Sequence, residues 1–189
     1  AEFKRFAADS SLLRMKRVRN LLENMLEYAK YYAAIKGVVA AGSGDMNVGQ
    51  RLGLIQKLDS TVTDPLVMYM FAAWKRDRVS CDGLLRMLAD LESYLFRRMI
   101  CSVSSNGLNK LVPSLIVRLD SAEDDLAETF AALLITETAK ATRMPTDSKF
   151  RQALLGENLY RPAWRCKYLL AGLENYNHPK DPRSFSEYT

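Results

Sequence analysis

Histidine is nearly missing from this chain: His178, between Asn177 and Pro179 in a polar stretch, is the single one in 189 residues. An HExxH zinc helix and a Cys/His metal site therefore lack their ligands, and acid–base catalysis has little raw material. His178 itself reads as a solvated or turn residue. The three cysteines, Cys81, Cys101 and Cys166, are widely spaced and form no CxxC pair, which fits a reduced, cytoplasmic setting better than a disulfide framework. No apolar run of about 18 residues is present, so no membrane-spanning helix is expected. The opening AEFKRFAADS has no basic segment leading into an apolar signal core. Alternating β-branched runs between hairpin turns are also absent, so no sheet is expected.

What is present is the material of a packed helical body. Hydrophobic residues make up 48% and charged residues 26%, far from the composition of a disordered chain. The balance of 27 basic to 22 acidic residues, net +5, favours contact with polyanions without requiring it. A start without Met and the end at SFSEYT lead us to expect a piece of a longer polypeptide: residues 1–176 an all-helical domain, 177–189 a polar tail.

Helical punctuation recurs along the chain. Between Ser10 and Gly37 the positions Met15, Val18, Leu22, Met25, Ala29, Tyr32 and Ala33 follow the spacing of an amphipathic helix. GVVAAGSGDMNVG reads as a connection, and a second helix is expected over about Val48 to Leu58. Asp64 is expected to cap a third helix with Pro65 at its first position. From Leu66 to Trp74 that helix is apolar on every side, so it should lie among the others. Ser80 is expected to cap a long helix to about Cys101, and LNKLVPSLIVRL resumes the helical period with Pro113 as a kink or first turn. Ser121 with AEDD is expected to launch a helix toward Ala141, and shorter helices are expected over Asp147 to Leu155 and Pro162 to Tyr176. The fold class is all-α, a compact multi-helix domain of about eight helices around a buried central one.

Few residues offer chemistry. GSGD at Gly42 to Asp45 neither follows a strand nor ends in Gly-Lys-Ser/Thr, so a linker is expected. Glu123, Asp124 and Asp125 sit where a helix start favours negative charge, without the second ligand set that a metal needs. Arg14, Lys16, Arg17 and Arg19 form the densest basic cluster and are the candidate nucleic-acid-binding residues. A solvated face is the reading their spacing favours, with Lys16 and Arg17 opposite the apolar stripe, Arg19 spaced to pair with Glu23 and Lys30 with Glu27. Met68, Met70, Met87, Met99, Trp74 and Trp164 read as core fillers.

The adjacent pair Arg97 and Arg98 faces two environments. Leu84, Leu88, Leu91 and Leu95 form one stripe that Arg98 continues, while Arg97 shares the polar side with Arg86, Asp90 and Ser93. Arg98 must snorkel or pair, since an unpaired buried guanidinium is prohibitive. We expect a structural clamp in which Arg98 meets the helix end and the SSNG turn, with Asn106 and Asn109 completing the hydrogen bonds.

The run ESYLFRRMIC, the short turn, and then GLNKL followed by an apolar LI resemble the helical region of GmrSD-type restriction nucleases, bacterial antiphage proteins that cut modified DNA. YAKYY at Tyr28 to Tyr32, LDSTVTDPL and NLYRPAWRCKYLLAGLEN extend the resemblance over nearly the whole chain, most specifically from Leu91 to Leu111 and Leu159 to Asn175. In that family a ParB/sulfiredoxin-like nucleotide-binding domain carries an Asp-Gly-Gln-Gln-Arg motif, and a C-terminal HNH nuclease opens with an Ile-Glu-His type motif. Neither is present here; Val48 to Arg51 lacks the Asp and the second Gln. The resemblance thus implies a noncatalytic spacer between the two active domains, which would be its partners, with DNA a further partner of the basic face. Nucleotide and divalent metal are expected only in the parent nuclease. Pro113 departs from the family pattern. An independent helical protein-interaction module remains the alternative reading.

Overall fold

A computed structural model describes residues 11–37, 46–58, 61–156 and 159–178 of the chain; the expected GSGD linker and most of the tail from 177 on lie outside them. The described residues form eight α-helices and no strand: α1 Ser11–Ile35, α2 Met46–Lys57, α3 Asp64–Lys75, α4 Cys81–Ile100, α5 Leu108–Asp120, α6 Leu126–Thr136, α7 Asp147–Gly156 and α8 Ala163–Asn177. None of these helices is long and apolar enough to cross a membrane.

α3 is the central helix that its all-round apolar sequence requires. Leu66, Val67, Tyr69, Met70, Phe71, Ala72 and Ala73 are all buried, and α1, α4 and α5 pack around it. Its start differs from the expectation at Asp64. Thr63 is the boundary residue, already in αR backbone at the end of the short 3₁₀ turn Thr61–Thr63, so no extended residue presents a capping oxygen. Asp64 instead opens the first turn and pairs with Lys36 of the α1 end at 2.7 Å.

α4 begins as its sequence indicates, with Ser80 Oγ accepting from the Gly83 N–H at 3.0 Å. Leu84, Leu88, Leu91, Leu95 and Arg98 line its buried face. Both α3 and α4 end in the same hydrogen-bonded hook. Asp77 (φ 55°) and Ser102 (φ 51°) take the left-handed position, Arg78 N–H bonds Ala73 O at 2.9 Å, and Val103 N–H bonds Arg98 O at 2.9 Å.

Two further boundaries correct the expectation. Ser121 does not launch α6; it closes α5, its N–H and Oγ both bonding Val117 O. Asp125 is the cap, accepting from Ala127 N–H at 2.8 Å and Glu128 N–H at 2.9 Å, because it directly precedes the first apolar residue, Leu126. α6 stops at Thr136, short of Ala141, where Glu137 Oε1 accepts from Ala139 N–H and Thr142 Oγ1 and winds the chain into a turn. Pro113 lies inside α5 on its exposed side. Pro113 has no N–H to offer the Asn109 carbonyl one turn earlier, and Asn109 is itself an exposed residue.

α1 forms as an amphipathic helix, yet its stripe is not covered among the described residues. Met15 is 69% exposed, Leu22 53% and Met25 59%, while only the far end, through Ile35, enters the core.

Candidate functional site

The two segments most specific to the family resemblance, Leu91 to Leu111 and Leu159 to Asn175, meet at the second half of α4, where Tyr168 reaches Glu92. One helical segment, Leu91 to Ile100, holds α2, α7, α8 and two turns against the core.

Glu92 anchors the α2 and α8 sides. Its carboxylate accepts from Arg51 Nη1 at 2.6 Å and from Tyr168 Oη at 2.6 Å. Tyr168 is 6% exposed. Burial, reinforced by the adjacent Glu92 charge, pushes its phenol well above the ordinary tyrosine range. Phe96 fills the space beside this pair, with ring centroids 5.2 Å from Tyr168 and 5.9 Å from Phe150 of α7. An open groove of about 320 Å³ remains there, with Arg51, Glu92, Phe96, Tyr168 and Leu173 among its walls.

Tyr94 points the other way. It is 1% exposed, and its hydroxyl donates to the Thr142 carbonyl across 48 residues of sequence. Burial raises its phenol to about 12. The same turn is approached by Gly107, where a Cβ would stand 2.4 Å from Ala141 O and 2.9 Å from Ala141 C. Gly107 has ordinary helical backbone at φ −65°, so what it supplies is space rather than an unusual angle.

The arginine pair divides as its two faces require. Arg97 donates to Asp147 Oδ1 at 2.6 Å and to Pro145 O at 3.3 Å, and its guanidinium lies 5.2 Å over the Phe150 ring, tying the start of α7 to α4. Arg98 is 3% exposed, donates to Ser104 O at 2.6 Å and lies 5.2 Å over the Tyr94 ring. Its Nη1 is buried without a hydrogen-bond partner. Asn106 and Asn109, expected to complete this clamp, are exposed; the contribution of Asn106 is its backbone N–H, bonded to Ser104 Oγ at 3.3 Å.

Elsewhere the sequence candidates lie apart from this hub. Arg14, Lys16, Arg17 and Arg19 stand exposed on the N-terminal half of α1. Glu27 accepts from Tyr31 Oη at 2.7 Å and pairs with Arg76 of the α3 end at 3.2 Å. His178 is largely exposed at the end of α8, its N–H bonded to Glu174 O at 2.8 Å. Glu123, Asp124 and Asp125 are exposed, and among the described residues no group of three His, Cys, Asp or Glu side chains comes together as a metal cage.

Sequence reasoning on single helices missed Arg51, Glu92, Tyr94, Gly107, Thr142 and Tyr168. A polar residue set into an otherwise apolar run, as in ESYLF and KYLL, is the signal that marks Glu92, Tyr94 and Tyr168. Compared with known proteins, the chain matches no family model, no curated protein and no solved structure.

Proposed function

We propose that this chain is the noncatalytic helical region of a GmrSD-like antiphage restriction nuclease, a cytoplasmic protein in which it joins a nucleotide-binding domain to an HNH nuclease domain. The observation that carries the reading is the use of the ESYLFRR segment: Glu92, Tyr94, Arg97 and Arg98 all bond within the chain, to α2, α7, α8 and two turns. This segment of the resemblance thus acts as a structural hub. A hub that touches both the α2 side and the α8 side can pass a rearrangement from one flank to the other. The exposed Arg14, Lys16, Arg17 and Arg19 supply positive charge for transient phosphate contact.

The test uses the parent nuclease with Glu92→Gln and Arg97→Gln. These variants should cut modified DNA with an altered nucleotide dependence while retaining the fold. Unchanged nucleotide dependence would remove the coupling role, and metal-dependent DNA cleavage by the isolated 189-residue chain would remove the noncatalytic one.

The uncovered stripe of α1 favours a second reading, an independent helical protein-interaction module. The reading frame separates the two: an Ile-Glu-His continuation beyond Thr189 supports the nuclease, and a natural stop there supports the module.

A further inference from the structure

A cleft of about 340 Å³ opens where α1 meets the ends of α3 and α5, and it shares no residue with the α4 hub. Tyr28, Tyr69, Arg76, Arg78 and Asp120 supply its polar walls. Ala72, Ile116 and the exposed Val117 supply apolar ones. The left-handed hook at Asp77 ends α3 and brings two arginines, Arg76 and Arg78, onto the same cleft.

Arg78 is spent on the fold. Its Nη1 donates to Tyr69 Oη and Asp120 Oδ1, each at 3.2 Å, and Nη2 reaches the Leu119 and Asp120 carbonyls at 3.5 Å, so its charge closes the C-terminus of α5. Arg76 keeps donors in reserve. Its Nη2 meets the two Glu27 oxygens at 3.3 and 3.2 Å, while Nε and Nη1 donate to nothing among the described residues. Tyr69 holds another unspent donor. It is 8% exposed and its oxygen accepts from Arg78, yet among the described residues no group accepts its proton. Burial pushes this phenol up, so the proton stays on at neutral pH. A buried hydroxyl in a cleft wall with its donor unspent, beside a guanidinium in the same condition, calls for an acceptor from outside the chain.

Charge and size narrow what fits. Glu27 and Asp120 already balance the two guanidiniums, so a phosphate dianion would bring two charges to a site with no cation left over. One planar carboxylate can share Arg76 with Glu27, because a guanidinium presents five N–H donors. The volume is at the small end for ligand pockets, which suits a body the size of one ring against Ile116 and Val117.

The geometry points to a binding site for a small organic carboxylate, its oxygens held by Arg76 and Tyr69 and its apolar body by Ile116 and Val117. The site does not rest on the nuclease reading.

Calorimetric titration of the 189-residue chain with phenylacetate should give a dissociation constant of about 1 mM or tighter. Phenylacetamide, of the same shape without the charge, should bind about 10-fold more weakly. Phenylalanine separates two sources of the carboxylate. Tighter binding than phenylacetate means that Asp120 Oδ2, which accepts no bond among the described residues, takes the ammonium of an amino acid; weaker binding means a simple acid. The Arg76 side chain is 50% exposed and Val117 66%, so Arg76→Gln and Val117→Trp should keep the wild-type circular dichroism. Each should weaken phenylacetate about 10-fold, the first by removing the fork and the second by filling the cleft. Tyr69→Phe should weaken it about 5-fold. Failure of both carboxylates to bind at about 10 mM, an amide that binds as well as the acid, or full affinity in Arg76→Gln and Val117→Trp would each overturn the proposal.

Discussion

Gly107→Ala tests whether the hub is set by close packing of two backbones. The added methyl would lie 2.4 Å from Ala141 O, about 1 Å short of an ordinary nonbonded separation. The obstacle is main chain, so no side-chain rotation relieves it. Retreat of the Ala141–Thr142 turn would draw the Thr142 carbonyl away from the buried Tyr94 hydroxyl. Overpacking of this kind costs about 1 to 3 kcal/mol, and weakening a buried hydrogen bond adds about 1 kcal/mol. Replacing glycine returns about 0.4 to 1 kcal/mol through the unfolded chain. The expected net loss is about 2 kcal/mol, read by urea unfolding, or about 4 to 8 °C in Tm for a chain of this size. Gly49→Ala and Gly53→Ala on α2 provide the control, since nothing lies within 4 Å of either new methyl. Each should stabilise by about 0.5 to 1 kcal/mol. A Gly107→Ala protein as stable as wild type, or one whose change matches the α2 variants in sign, would refute the reasoning.

Ser102→Gly should raise stability by about 0.5 to 1 kcal/mol in urea unfolding, because the left-handed strain at φ 51° outweighs the entropy glycine adds to the unfolded chain. Glu92→Leu should cost about 2 to 3 kcal/mol, since it removes the carboxylate that the buried Tyr168 hydroxyl donates to, whereas Glu92→Gln keeps an acceptor and should cost about 1 kcal/mol. The partly exposed Arg51 adds little to either figure. At alkaline pH the unfolded chain releases phenolic protons near 10 while Tyr94 holds its proton to about 12, and Tyr168 is raised further. Stability is therefore full below pH 10 and should fall through this window by up to about 1.4 kcal/mol per pH unit for each phenol. Tyr94→Phe should remove part of that slope in denaturant titrations at stepped pH.

Elements whose making is local were readable from the chain. Ser80 caps α4 as its position before an apolar period requires, and the block Leu66–Trp74 becomes the central helix because a helix apolar on all sides has no solvent face. Boundaries were lost where two signals compete at close range. Ser121 and Asp125 are both good caps, and Asp125 prevails because Leu126 follows it directly. Asp64 lost its capping position to the 3₁₀ turn before it. The hub was legible only in part. The division between Arg97 and Arg98 follows from one helix's spacing, but Tyr94 with Thr142 and Glu92 with Tyr168 join residues 48 and 76 apart, which no periodicity records. The α1 stripe illustrates the reverse: spacing reveals it and is silent on what covers it.

α7 has no buried side chain and α8 has two, Tyr168 and Ala171. Their hold on α4 runs through Asp147 to Arg97, Tyr168 to Glu92, and a row of three rings. This flank is laced on rather than embedded, so it can swing away while α3 to α6 stay assembled. Amide protons there would trade with solvent early, and added salt would hasten the exchange by loosening the Arg97 tether.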